Sequence, residues 1–294
     1  MSEILQSVEL DRAALVAELR RGVLWAVVDG ALDPALADEL YAERAFGVVP
    51  LFEGTSATDL RAVGPYLVRL DRAGYDRLVP RWEEPWGVLI RSDRPGSIVA
   101  GHLRKLLYVR TPSAERLYFR FYDPRVLRPF LTACDRAELD AVFGPIEWLG
   151  WSRLDQQALF VVPRDRSGQP AGGAWPFEIR EAHLKAFRRS AEARLEAEIA
   201  DHLRAHFAAR CAELGRRLPR LVKSLIAGGR RQRLATTRDL ALYAAAVFAT
   251  TAELDGAPPA WAREILADKS RPPGARADRM AGAAGEHLIG GSDG

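Results

Sequence analysis

A change of period constrains this chain most. Up to residue 162, short apolar runs of period two alternate with short helical patterns. From residue 177 onward, apolar residues recur at helical steps only. Between them lies PRDRSGQPAGGAWP, residues 163–176, rich in Gly, Pro and charge and without period, which reads as a linker. The expectation is an α+β chain in four parts. Residues 1–162 form a mixed α/β lobe with helices packed on a mixed sheet, and 163–176 link it to a helical lobe over 177–269. Residues 270–294, Gly-, Ala-, Arg- and Pro-rich without pattern, form a disordered tail.

Within the first lobe, GVLWAVVDG reads as a strand ending at Asp29-Gly30, and Asp33-Pro34 opens a helix running to Ala45. The most informative stretch is LYFRFYDPRVLRPFL, 117–131. Leu117, Phe119 and Phe121 alternate with Tyr118, Arg120 and Tyr122, which suits a strand with one apolar face. Asp123 then occupies a helix N-cap position and Pro124 the first helical position. Arg120 and Arg125 need partners there, and Asp29, Glu53 or Asp123 could supply them. Two outcomes are open: a buried polar network or part of a binding face.

In the second lobe, apolar residues from Ile179 to Cys211 predict one long amphipathic helix over about 178–214, or two in line. A short helix closes at Gly228-Gly229. Thr237 caps a helix over about 238–254 that is apolar on most sides and therefore central in its bundle.

The formal net charge is only +3, but seven positive charges lie between Arg216 and Arg233 with no acid among them. The rest of the chain therefore sums to −4 (3 minus 7). Arg216, Arg217, Arg220, Arg230 and Arg231 are candidate contacts to an acidic partner. No aromatic residue is interleaved between 216 and 233, so a nucleic-acid module is not the expected reading. Cys134 and Cys211 form no C-x-x-C pair, so neither a disulfide framework nor a cysteine-based zinc site is expected. His202 and His206 stand at i and i+4 but lack the Glu of H-E-x-x-H, and are expected solvated or packed. GGSDG at 290–294 lacks the strand and helix that a nucleophile elbow needs. Neither a catalytic set, a cofactor nor a metal is expected. The N-terminus lacks a signal-peptide pattern and the longest apolar run is too short to span a bilayer, so a cytoplasmic location without membrane contact is expected.

Seven segments, in order, carry a resemblance: WAVVDGALDPALADELY, PLFEGT, GPYLVRL, WGVLIRSD, HLRKLLYVR, LYFRFYDPRVLRPFL and FGPIEWLGW. Over residues 23–151 the chain resembles the bacterial type VI secretion effector chaperones, also called adaptor proteins. DLALYAAAVFATTAELDGAPPAWAREIL is more loosely similar to their helical C-terminal part. The resemblance implies a non-catalytic protein that binds a cognate toxic effector in the producing cell. It also implies help in loading that effector onto the valine–glycine repeat spike, VgrG, directly or through the effector. Phe52 and Glu53 of PLFEGT, with Arg120, Tyr122 and Arg125, are candidate partner contacts, and Asp29, Asp123 and Pro124 the structural signature. The competing readings are a hydrolase for an anionic substrate and a nucleic-acid module using 216–233.

Overall fold

Leu24–Asp29 (β2) carries six consecutive buried residues, as a strand covered on both faces must. In the computed structural model its alternate side chains enter two different cores. Leu24, Ala26 and Val28 pack with Leu15, Leu36, Tyr75 and Trp86, whereas Trp25 and Val27 pack with Val88, Val99, Leu103 and Phe130. The structure describes residues 8–10, 12–21, 23–32, 34–42, 47–52, 64–78, 86–153, 156–164, 175–251 and 257–290. It divides into two compact units, Met1–Arg188 and Arg189–Gly294.

The described strands of the first unit are Val8–Leu10 (β1), β2, Val48–Pro50 (β3), Pro65–Arg69 (β4), Gly87–Arg91 (β5), Tyr108–Arg110 (β6), Arg116–Tyr118 (β7), Trp148–Arg153 (β8), Gln156–Pro163 (β9) and Phe177–Glu178 (β10). A seven-stranded sheet runs β1-β9-β8-β5-β2-β4-β3, antiparallel at every pairing. A second sheet runs β10-β6-β7, parallel at β10–β6 and antiparallel at β6–β7. Helices Arg12–Arg21 (α1), Pro34–Ala42 (α2) and Arg72–Leu78 (α3) supply one core. Gly96–Leu106 (α4), Pro124–Ala133 (α5) and Arg136–Phe143 (α6) supply the other. An antiparallel main sheet, a small sheet of mixed direction and a helical second unit fit the α+β expectation.

The cap expected at Asp123 holds. Asp123 caps α5 by accepting from the Arg125 amide, with Pro124 in the first turn. Asp135 and Glu138 form a reciprocal capping box on α6. Two readings need correction. The strand ends at Tyr118, because Phe119, Phe121 and Tyr122 leave the edge and turn inward, each nearly buried. The expected linker is not where the units divide. Pro163 closes β9, while Phe177 pairs with Val109 and joins the first core with Ile179. Residues 165–174 of that stretch lie outside the described residues, as do Asp33 and Glu53.

Helix Glu181–His206 (α7) begins in the first unit and continues into the second. There follow Ala208–Leu214 (α8), a 3-10 turn Gly215–Arg217, Leu218–Arg231 (α9), Thr237–Thr250 (α10), Ala260–Ala267 (α11) and Pro273–Gly290 (α12). The long helix is two segments, broken at Phe207. Gly228-Gly229 does not close α9, which continues to Arg231. Both glycines are buried, and a Cβ on Gly229 would meet Leu240 at 2.7 Å. The cap of α10 is Thr236 rather than Thr237, accepting from the Asp239 amide. As expected, α10 is central, packing on both α9 and α12. The tail contradicts the expectation of disorder: Ala277, Met280 and Ala284 bury one face of α12 against α10.

Candidate functional site

Sequence forces the β6–β7 hairpin into an aromatic face. Thr111 accepts the Glu115 amide on its hydroxyl, and the Thr111 amide donates to the Glu115 carbonyl, closing the turn. Tyr108, Arg110, Arg116 and Tyr118 then share one face, since 108 opposes 118 and 110 opposes 116. The Tyr118 ring packs 5.5 Å from Phe52 and 5.7 Å from Tyr108, centroid to centroid. Arg116 lays its guanidinium 3.8 Å over the Tyr108 ring. Leu117 and Tyr118 remain 46% and 40% exposed, two of the few large apolar side chains so open.

Beneath this face lies a polar network. Tyr118 and Tyr122 join their hydroxyls at 2.8 Å. Burial raises both phenols, so the pair stays protonated. Arg120 ion-pairs with Asp29, whose carboxylate is fully buried at the end of β2 and also accepts the Ala31 amide at 3.1 Å. Burial is the largest influence on Arg120 and opposes its charge, but the hydrogen bond and charge of Asp29, with smaller contributions from Tyr122 and Asp123, together hold the guanidinium above its ordinary value. Arg125 doubles back onto Asp123 at 2.8 Å.

The structure therefore brings together Phe52, Arg120, Tyr122, Asp29, Asp123 and Arg125, with Pro124 setting the corner. Tyr122 is buried, so it supports the face from below and is not a contact residue. The exposed residues of the hairpin edge are Tyr118, Leu117 and Arg116, none of which the sequence reading made a candidate contact. A hairpin loop followed directly by Arg-Leu-Tyr was the available signal.

Replacing Arg120 with Ala leaves the Asp29 carboxylate buried with one backbone donor. The expected loss is about 2 kcal/mol, discounted because the guanidinium reaches water. Arg125→Ala is expected to lose under about 1 kcal/mol, because the Arg125 amide still caps onto Asp123. Denaturant melts of both variants check the order. Equal losses would mean that Asp29 does not depend on Arg120.

Cys134, Glu138 and His183 form the one trio of potential metal ligands among the described residues. His183 Nδ1 accepts the Arg180 amide at 2.9 Å, so the ring proton lies on Nε2, 3.6 Å from both Cys134 Sγ and Glu138. Arg180 ion-pairs with Glu138, and burial raises the Cys134 thiol. An ion would have to displace two protons and a guanidinium, so the trio fits a clasp of α7 on the α5–α6 elbow better than a metal site. The His202 and His206 rings lie 4.4 Å apart and tilted on α7, and His206 Nδ1 donates to the His202 carbonyl at 2.9 Å. No third ligand joins them among the described residues.

Burial holds His183 and His102 below the ordinary value of about 6.5. The unfolded chain takes up protons there first, so their stabilisation is complete above about pH 6.5 and falls as pH drops below it. Thermal melts at about pH 7.5 and about pH 5.5 should show this loss, and His183→Gln should reduce it. A pH-independent melting temperature would refute the assignment.

In the second unit the basic stretch is divided. Arg230 pairs with Glu192 at 2.7 Å and Lys223 with Glu196 at 3.6 Å, both partners on α7. Arg216, Arg217, Arg220 and Arg231 are exposed and make no ion pair among the described residues. The candidate Arg230 is thus a structural ion pair.

The fold and this face define a two-unit α+β protein with an exposed aromatic–arginine surface on its first unit. A family model described as "Domain of unknown function (DUF4123)" matches residues 24–141, less than half of the chain. No curated protein and no solved structure matches.

Proposed function

We propose that this protein is a non-catalytic adaptor that binds a toxic effector and helps load it onto the VgrG spike of a type VI secretion system. The carrying observation is the match over residues 24–141, which spans six of the seven segments of the resemblance; that family is associated with type VI secretion. The exposed Tyr118, Leu117 and Arg116 support the reading, since aromatic and arginine side chains are favoured in protein interfaces. The cargo binds in the cytoplasm before secretion. The exposed arginines of α9 and the preceding turn form a second contact surface for an acidic region of the cargo.

Co-expression with each protein encoded beside its gene is the test. The expected result is a stable complex on size exclusion, with the toxin soluble only in its presence. If the chain elutes alone in every such pairing, the adaptor reading falls. Arg216→Glu, Arg217→Glu and Arg220→Glu together should abolish or greatly weaken the complex, and unchanged affinity would make that patch bystander charge.

A further inference from the structure

Among the described residues, the β7 strand is the open end of its sheet, and all three of its residues are exposed. Its hydrogen-bond phase is known from its flanks. The Phe119 amide donates to the Leu107 carbonyl and the Thr111 amide to the Glu115 carbonyl. Bonded pairs therefore fall at 107/119, 109/117 and 111/115, and 108/118 and 110/116 are non-bonded pairs. The amides and carbonyls of Arg116 and Tyr118 point away from β6, toward the open edge. These three residues hold no Pro, no Lys and no bulge, and the charge of Arg116 is the one side-chain guard on this short edge. The edge is also held rigid, because Tyr118 is fixed by Phe52, Tyr108 and Tyr122.

We infer that β7 takes up an extended segment of the cargo as an added strand, and that this segment alternates acidic with apolar residues. The inference rests on the adaptor reading for the identity of the occupant. Two observations specify its chemistry. Arg116 stands on the edge strand with Arg110 opposite it on β6, both on one face and without an ion pair among the described residues, so that face favours carboxylates beside Arg116. Leu117 points from the other face and favours an apolar neighbour. A second copy of this chain fits less well, because it would bring its own Arg110 and Arg116 against these two. Main-chain bonds to the edge supply affinity and the side chains select the segment.

The backbone can be tested apart from the side chains. Arg116→Pro removes an outward N–H and leaves the internal ladder to β6 intact, whereas Arg116→Ala removes the charge and keeps the N–H. The probe is a short fluorescent peptide of alternating Glu and Val, titrated by anisotropy, with alternating Lys and Val as control. The Glu peptide is expected to bind at least about tenfold more tightly than the Lys peptide. Arg116→Pro should weaken it about tenfold beyond Arg116→Ala. In the parent chain, the peptide should slow hydrogen exchange at the Arg116 and Tyr118 amides, a readout independent of any variant's folding. Binding without that protection, or equal affinities for Arg116→Pro and Arg116→Ala, overturns the inference. So does a cargo complex that forms normally with Arg116→Pro, and then the adaptor reading stands alone. Self-association that Arg116→Pro abolishes also overturns it, by making the occupant a second copy. Peptide binding with the expected protection, but no cargo complex with the parent chain, keeps the edge as a strand acceptor and removes the adaptor reading.

Discussion

A chain ending at Lys269 loses the cooperative unfolding of its helical unit. The missing helix α12 inserts Ala277, Met280 and Ala284 into the core built on Tyr243, Val247 and Phe248. It also carries Arg276, nearly buried, which donates to the Leu266 carbonyl at the end of α11 at 2.5 Å and to the Gln232 carbonyl after α9 at 3.2 Å. Helix C-termini leave carbonyls without intrahelical donors, and a guanidinium is well suited to them. Deletion thus uncovers an apolar face and orphans two helix ends together. The graded version is Met280→Ala, expected to lose about 2–5 kcal/mol because Met280 is fully buried. Hydrogen exchange of the α10 amides is the direct measurement. Parent-like protection in the shortened chain would show that α12 is dispensable to this core.

Gly87→Ala prevents the first unit from folding. A Cβ at Gly87 would stand 1.9 Å from the Val27 carbonyl oxygen, which belongs to the central strand β2. Gly87 itself pairs with Val28, so neither backbone can retreat without breaking the ladder that β5 and β2 share. The loss is expected to exceed about 4 kcal/mol, in the range reserved for such mechanisms. Gly96→Ala is the comparison. Its Cβ would meet the Trp25 ring at 2.7 Å, a side chain that can shift, so that variant should fold with a lowered melting temperature. Soluble yield and circular dichroism separate the two. A folded Gly87→Ala protein would show that the β2–β5 spacing is adjustable.

The candidate site was half legible. Asp29, Arg120, Asp123 and Arg125 were readable as a group because charges among apolar residues need partners, and the structure pairs Arg120 with Asp29 and Arg125 with Asp123. Tyr122 was misplaced because alternation was extended past Tyr118, where the strand ends. Tyr118 and Arg116 were missed because edge position is a property of the sheet, not of three residues. The basic stretch was legible as charge, but Glu192 and Glu196, more than a helix away in sequence, neutralise Arg230 and Lys223. The helix α12 was hidden because its buried positions are Ala and Met at steps of three and four among glycines, a weak apolar stripe.

The sequence by itself determined the α+β class, the cap at Asp123-Pro124, the central helix α10 and the helical character of the chain from Glu181 onward. Those features depend on neighbours within a turn or a strand, where dihedral preference and local hydrogen bonds act. Tertiary structure alone decided which strand lies at an open edge and which arginines lack an ion pair, both among the described residues, and that the last helix folds. Each of these depends on partners distant in the chain, and no local preference encodes where such partners will meet.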